Sequence, residues 1–150
     1  MTWESTRPHD AQPPIELESF YGSLSVDKFR QLYRLPAELP GEVIREQLLL
    51  GALRICRELA TWRKRRSEAR LADVEQLTVD GKGELEVFFE RACFCEAKAE
   101  ILRETVTIDR RAQAENAAKS GPETEAWYRA MAADAVAYIV KVPRIDVEII

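Results

Sequence analysis

The sequence predicts an all-α fold: a small domain of three to four helices, with a flexible N-terminal tail and an extended C-terminal strand. Three observations predict it. Residues 40–66 carry Ile44, Leu48, Ala52, Ile55, Leu59 and Trp62 at spacings of three and four, the period of one helix face. Residues 84–106 carry Leu85, Phe88, Phe89, Ala92, Ala99 and Val106 on one face at 100° per residue. After Pro143 the helical period gives way to alternation in Ile145, Asp146, Val147, Glu148 and Ile149. The expected division is a tail over 1–14, a helical domain over 15–142 and a strand over 143–150.

The elements follow in chain order. Residues 1–14 are polar and hold Pro8, Pro13 and Pro14, which suits a tail rather than a packed element. In "SLSVDKFRQLYRLP" Ser25 is a helix N-cap and Pro36 ends the helix, with Phe29, Leu32 and Tyr33 on one side. The first long helix starts near Pro40, a favoured first-turn residue, and runs to about Arg66. "SEARLADVEQLTVDGKGE" reads as a loop, with Asp80-Gly81 and Gly83 as turn signals.

The second long helix, about Glu84 to Val106, has a further apolar set, Val87, Phe94, Ile101 and then Ile108, every seven residues on roughly the opposite side. A helix apolar on two faces is either central in its own domain or shared with another chain. With few other long helices to cover it, sharing is the expectation. "RRAQAENAAKSG" fits a helical extension or a loop. A last helix starts near Pro122, with Glu123 and Glu125 complementing its N-terminal dipole, and buries Trp127, Met131, Ala135, Tyr138 and Val142.

Composition narrows the function classes. With 22 basic and 26 acidic residues the net charge is −4, the wrong sign for a general nucleic-acid binder. No apolar run approaches the length of a membrane span, and "MTWESTRPHDAQPP" lacks the apolar core of a secretory signal. Three cysteines, an odd number, point to free thiols in a reducing compartment such as the cytosol.

Chemistry-bearing patterns are few. The single histidine, His9, lies in the proline-rich tail, so no His-based triad, Cys–His pair or histidine metal cluster is expected. On a helix Cys93 and Cys95 diverge by roughly 160° and cannot grip one ion, and together with Cys56 they read as small buried hydrophobes. "VDGKGELE" lacks the spacing of a phosphate-binding loop and reads as a turn before a helix. Glu86, Glu90, Glu96, Glu100 and Glu104 scatter around the second long helix as a solvated, ion-paired surface. No active site and no cofactor is expected. From Arg54 to Arg70, seven basic residues face two acidic ones, and Lys64, Arg65 and Arg66 stand together at the helix end. Such a cluster either complements the helix dipole as a solvated end or faces nucleic-acid phosphates without reading sequence.

An isolated strand is unstable in water, so the terminal one either folds back on its own helices or adds to a partner's surface. Here the sequence resembles a known family, the head completion (head stabilisation) proteins of tailed bacteriophages with contractile tails, the GpL type. The resemblance rests on "RLADV" (70–74), the turn at Asp80-Gly81, "VFFERA" (87–92) and "AVAYIVKVPR" (135–144), with a looser "ELATWR" (58–63). It covers about residues 22–150, and the segment 107–128 departs from the family pattern in sequence and length.

The resemblance implies a structural, non-enzymatic role without cofactors, and a helical fold like that of head–tail connector adaptors. Its implied place is the head–neck region of the virion, with assembly in the host cytoplasm. Implied partners are the portal protein, neck and tail-terminator proteins, and copies of itself in a homo-oligomeric, dodecameric ring on the portal that retains packaged DNA; no membrane is involved. In that setting Val87, Phe94 and Ile101 become candidate contacts between ring neighbours. Arg144, Ile145, Val147, Ile149 and Ile150 become candidates for docking on the portal or a neighbour, and Lys64, Arg65 and Arg66 for facing DNA phosphates. The alternative is a nonspecific DNA-binding helical protein that uses the same basic helix end.

Overall fold

The computed structural model describes residues 11–108 and 124–141. The described residues are mostly helical, with two minimal antiparallel ladders among them. The elements are β1 (Ile15–Glu16), β2 (Ser23–Leu24), α1 (Val26–Leu32), α2 (Gly41–Glu58), α3 (Ala60–Lys64), a 3-10 turn (Leu71–Asp73), β3 (Thr78–Val79), β4 (Lys82–Gly83), α4 (Glu84–Ile108) and α5 (Glu125–Lys141). β1 pairs with β2 and β3 with β4. Of the segment expected as a tail, residues 11–14 are described, and Arg45 donates to the carbonyls of Pro13 and Pro14. Residues 1–10, the connection 109–123 and the C-terminal segment 142–150 lie outside the described residues.

The local chemistry explains most boundaries. Ser25 Oγ accepts from the Lys28 amide at 3.1 Å and starts α1. The expected helix over 40–66 is two helices, because the backbone at Leu59 (φ −89°, ψ 1°) leaves α-helical geometry and restarts as α3. Neither glycine nor proline marks the break. Its effect is to keep both Leu59 and Trp62 in the core, at 0% and 6% exposure. The expected loop before α4 contains a hairpin: Asp80 and Gly81 both have positive φ (55° and 78°), as a two-residue turn of the primed type requires. Gln76 fastens that hairpin, donating to the carbonyls of Leu71 and Val74 and accepting from the Leu85 amide, one of the orphan donors of α4. The last helix starts at Glu125, where Thr124 Oγ1 accepts from the Trp127 amide; Pro122 lies outside the described residues.

α4 is the axis of the domain. Its residues Ala92 through Ala97 are all buried, which a helix shows only when it is covered on every side. α2 runs antiparallel along it, bringing Gln47 to Glu104 and Arg54 to Glu96. α5 does the same on another side, from Tyr138 against Glu84 to Arg129 against Glu100. α1 covers a third side, with the Phe29 and Phe94 rings 5.0 Å apart. The expectation that another chain shares the second apolar face of α4 is therefore corrected for its centre. Phe94 and Ile101 are 1% and 4% exposed within this chain.

The stripe expected on α2 and α3 is buried throughout, from Ile44 to Trp62. That on α5 is shifted by one position: Tyr128, Ala132, Ala135 and Ile139 are buried, Trp127 and Met131 flank them half-buried, and Tyr138 is 40% exposed. Val142 lies outside the described residues. The segment 15–24, in which no element is expected, forms the β1–β2 hairpin and sends Phe20 and Tyr21 inward. Tyr21 stacks on Phe89 at 4.4 Å, and the Arg63 guanidinium lies 3.9 Å over Phe20.

The α2–α4 crossing depends on a glycine. A Cβ at Gly51 would stand 3.1 Å from the backbone of both Cys93 and Ala97, so the two helices are as close as their main chains allow. Gly51→Val should push them apart and lower stability by about 2 kcal/mol, an overpacking cost that exceeds the gain in helix propensity. Urea denaturation measures this, and an unchanged midpoint would show the crossing to be loose.

Candidate assembly surfaces

The basic end of the first long helix is less free than its composition implies. Arg63 donates to Glu18 at 2.7 Å, Arg66 to Glu68 at 2.7 Å, and Arg70 lies 3.8 Å from Asp73. Arg54 reaches Glu96 and Glu100 across the α2–α4 crossing. The hydrogen bond from Arg66 holds the Glu68 carboxyl below its usual range. Folding thus brings carboxylates from the N-terminal hairpin and from α4 onto a run that looks strongly cationic in one dimension. Of the three residues expected to face phosphates, Arg66 is paired, whereas Lys64 and Arg65 are exposed and enter no ion pair among the described residues.

The glutamates of α4 do not simply scatter. Glu96 and Glu100, one turn apart, are each 9% exposed and converge on one partner. Arg129 of α5 donates to Glu96 and Glu100 at 2.9 Å each and to Glu125 at 3.0 Å. With Arg54 from α2 added, this network ties three helices together. Burial pushes the Glu100 carboxyl up, but the Arg129 hydrogen bond and the charges of Arg54 and Arg103 outweigh it and hold the group below the usual carboxylate range. The linear sequence shows the i, i+4 glutamates but not that a residue 29 positions away meets them.

Among the described residues no group of three or more His, Cys, Asp or Glu side chains is placed to hold a metal ion. Cys93 and Cys95 are buried and Cys56 is half-buried. Burial pushes the Cys56 thiol up to about 11, so it is a poor nucleophile at neutral pH. No described helix is long and apolar enough to cross a membrane.

Of the expected ring contacts, Phe94 and Ile101 are core residues, and only Val87, 43% exposed, is on the surface. Arg144, Ile145, Val147, Ile149 and Ile150 lie outside the described residues. One concave surface has no counterpart in the sequence reading. A groove of about 660 Å³ opens between the end of α1, the middle of α4 and the first turns of α5, lined by Tyr33, Trp127 and Tyr128 and by Arg34, Arg91 and Lys98, among others. Lys98 donates to the Tyr33 carbonyl at 3.0 Å, and the Tyr33 hydroxyl lies 3.7 Å from Cys95 Sγ. Three helices far apart in the chain build this groove, so no local spacing could announce it.

The network makes a directional prediction. A depressed folded pKa contributes stability above the ordinary carboxylate value and loses it as pH falls through the folded one. Unfolding free energy should hold steady above about pH 5 and fall on acidification below about pH 4. Arg129→Gln should remove roughly 2 kcal/mol at neutral pH and flatten that acid slope. The loss stays below the ~3–5 kcal/mol of a fully buried broken pair, because Arg54 still reaches both carboxylates and Arg129 is partly solvated. Urea titrations of both proteins across pH measure it, and equal acid slopes would dismiss the network.

Compared with curated proteins and with solved structures, the chain returns no match. Compared with family models, it matches over residues 15–150, which takes in every element described above and the C-terminal segment beyond them: the chain belongs to the family of the phage head completion protein (GPL), the same family its motifs resemble.

Proposed function

We propose that this protein is a non-enzymatic structural part of the virion that docks on the portal vertex after DNA packaging, forms a homo-oligomeric, dodecameric ring there, retains the packaged DNA and offers the neck and tail-terminator proteins a surface. The observation that carries this reading is the family match across the whole helical domain and the C-terminal segment. The structure supports it in one respect. The domain completes its own core, with α4 enclosed by α1, α2 and α5, so assembly falls to surfaces outside that core. Those are the exposed apolar positions around the start of α4, Val87 with Leu77, Val79 and Tyr138, and the docking segment with Arg144, Ile145, Val147, Ile149 and Ile150.

Contact with packaged DNA, in this reading, rests on Lys64 and Arg65 repeated around the ring. Two cations are too few for tight binding by a monomer, but a ring presents them to one duplex together. A free-standing DNA-binding protein is the poorer account, because Arg54, Arg63, Arg66 and Arg70 are already matched by carboxylates.

Native mass spectrometry of the protein alone and mixed with the portal protein tests the assembly reading. The expected result is a free subunit that becomes a stoichiometric ring on the portal, and deletion of residues 143–150 leaves a folded domain that no longer joins. A subunit indifferent to the portal, or a truncated chain that joins normally, rejects it. Separately, a Lys64→Glu, Arg65→Glu variant should still assemble but release DNA from packaged heads at lower salt than the wild type. Unchanged DNA retention would remove DNA contact from the role of these two residues.

A further inference from the structure

The groove between α1, α4 and α5 stands out by the cations in its lining. Its lining includes three cations and no carboxylate. Arg91 donates to the Met131 thioether at 3.7 Å, a weak acceptor, and enters no ion pair among the described residues. Arg34 is exposed and enters no ion pair among the described residues. Its backbone is also unusual. α1 ends with the Leu35 amide donating to the Arg30 carbonyl, and Arg34 holds φ +49° in between, the left-handed position that glycine ordinarily fills in this helix ending. An arginine there costs about 1 kcal/mol that glycine would not, and it sets a cation on the rim of the groove. Between the cations lie Tyr33, Trp127 and the exposed Leu32.

That combination, an apolar and aromatic floor under a cationic rim, suits an extended peptide with branched side chains on one side and carboxylates on the other. The chain itself contains one. In "RIDVEII" Ile145, Val147 and Ile149 alternate with Asp146 and Glu148. We propose that the groove receives this segment from a second copy of the chain, so that each subunit of the ring proposed above clasps its neighbour. This rests on the assembly reading for its setting and deepens it by naming the receptor. A second copy is favoured over the same copy by the course of α5. α5 runs antiparallel to α4 and ends at Lys141, past the contact of Tyr138 with Glu84, whereas the groove lies at Trp127 to Met131. A segment returning to its own groove would retrace about 15 Å of helix, leaving only its last residues to enter. A neighbour's segment can lay all three apolar side chains in the groove at once.

A labelled synthetic peptide of residues 142–150, titrated against the full chain without portal and followed by fluorescence anisotropy, tests this directly. Saturable binding is expected, weakened about tenfold or more by Arg34→Gly, a change that should leave the fold at least as stable because glycine accepts that backbone. A peptide with Asp146→Arg and Glu148→Arg should fail on the wild type and bind a chain carrying Arg34→Glu and Arg91→Glu. No binding, or binding indifferent to these changes, overturns the proposal. A Leu32→Cys, Ile149→Cys chain should form disulfides between copies, and a disulfide closed within one copy overturns it too. On the portal, a normal ring from Arg34→Glu, Arg91→Glu subunits refutes the groove and leaves the assembly reading intact. Peptide binding with no wild-type ring keeps the groove as a self-association site and rejects the assembly reading.

Discussion

The rest of the structure depends on enclosing one helix. The middle of α4, Ala92 to Ala97, is buried around its circumference, and such a stretch has no stable place in water until something covers each side. α2, α1 and α5 do so, each with its own device. α2 comes close because Gly51 has no side chain to hold it away. α1 brings Phe29 and Tyr33 against Phe94. α5 is held at one end by Tyr138 against Glu84 and farther along by Arg129 on Glu96 and Glu100. Even the two small hairpins serve this purpose, since Tyr21 stacks on Phe89 and Gln76 receives the Leu85 amide near the start of the helix.

Enclosure also decides how charge is distributed. A carboxylate near the axis must be paired or it cannot stay charged, and the arginines of α2 and α5 are the partners that packing delivers. This consumes much of the basic run of α2 and α3, which would otherwise be the most conspicuous feature of the surface. Exposed cations that enter no ion pair among the described residues include Lys64 and Arg65 at one helix end and Arg34 and Arg91 beside the groove. The ion pairs between α2, α4 and α5 tie the helices of the domain to one another.

How far the sequence could be read varies with the element. The stripe from Ile44 to Trp62 was legible because a helix packed on one side keeps a clean period, and Ser25 and Asp80-Gly81 were legible because caps and turns are local chemistry. The second set on α4 is visible as a pattern, but the pattern shows only that a face is covered and not by whom, so the expectation of a second chain does not follow from it. The stripe on α5 came out one position off, since many small and apolar residues blur the phase of a helix rich in alanine. The 15–24 hairpin was missed because two-residue strands carry no periodicity, and what holds them, Phe20 under Arg63 and beside Trp62, is contributed by residues more than forty positions away.

By itself, then, the sequence determined the helical class, the principal helices, the turn before α4 and, through motifs in a fixed order, the family. Each of these depends on residues near one another in the chain or on their order along it. Only the tertiary structure decided that α4 is covered from within, that Glu96 and Glu100 share Arg129, that Arg66 is paired while Lys64 is not, and that Arg34 and Arg91 border one groove. These are relations between side chains brought together by packing, and the energy of an ion pair or an apolar contact depends on distance in space, which a linear order of residues does not contain.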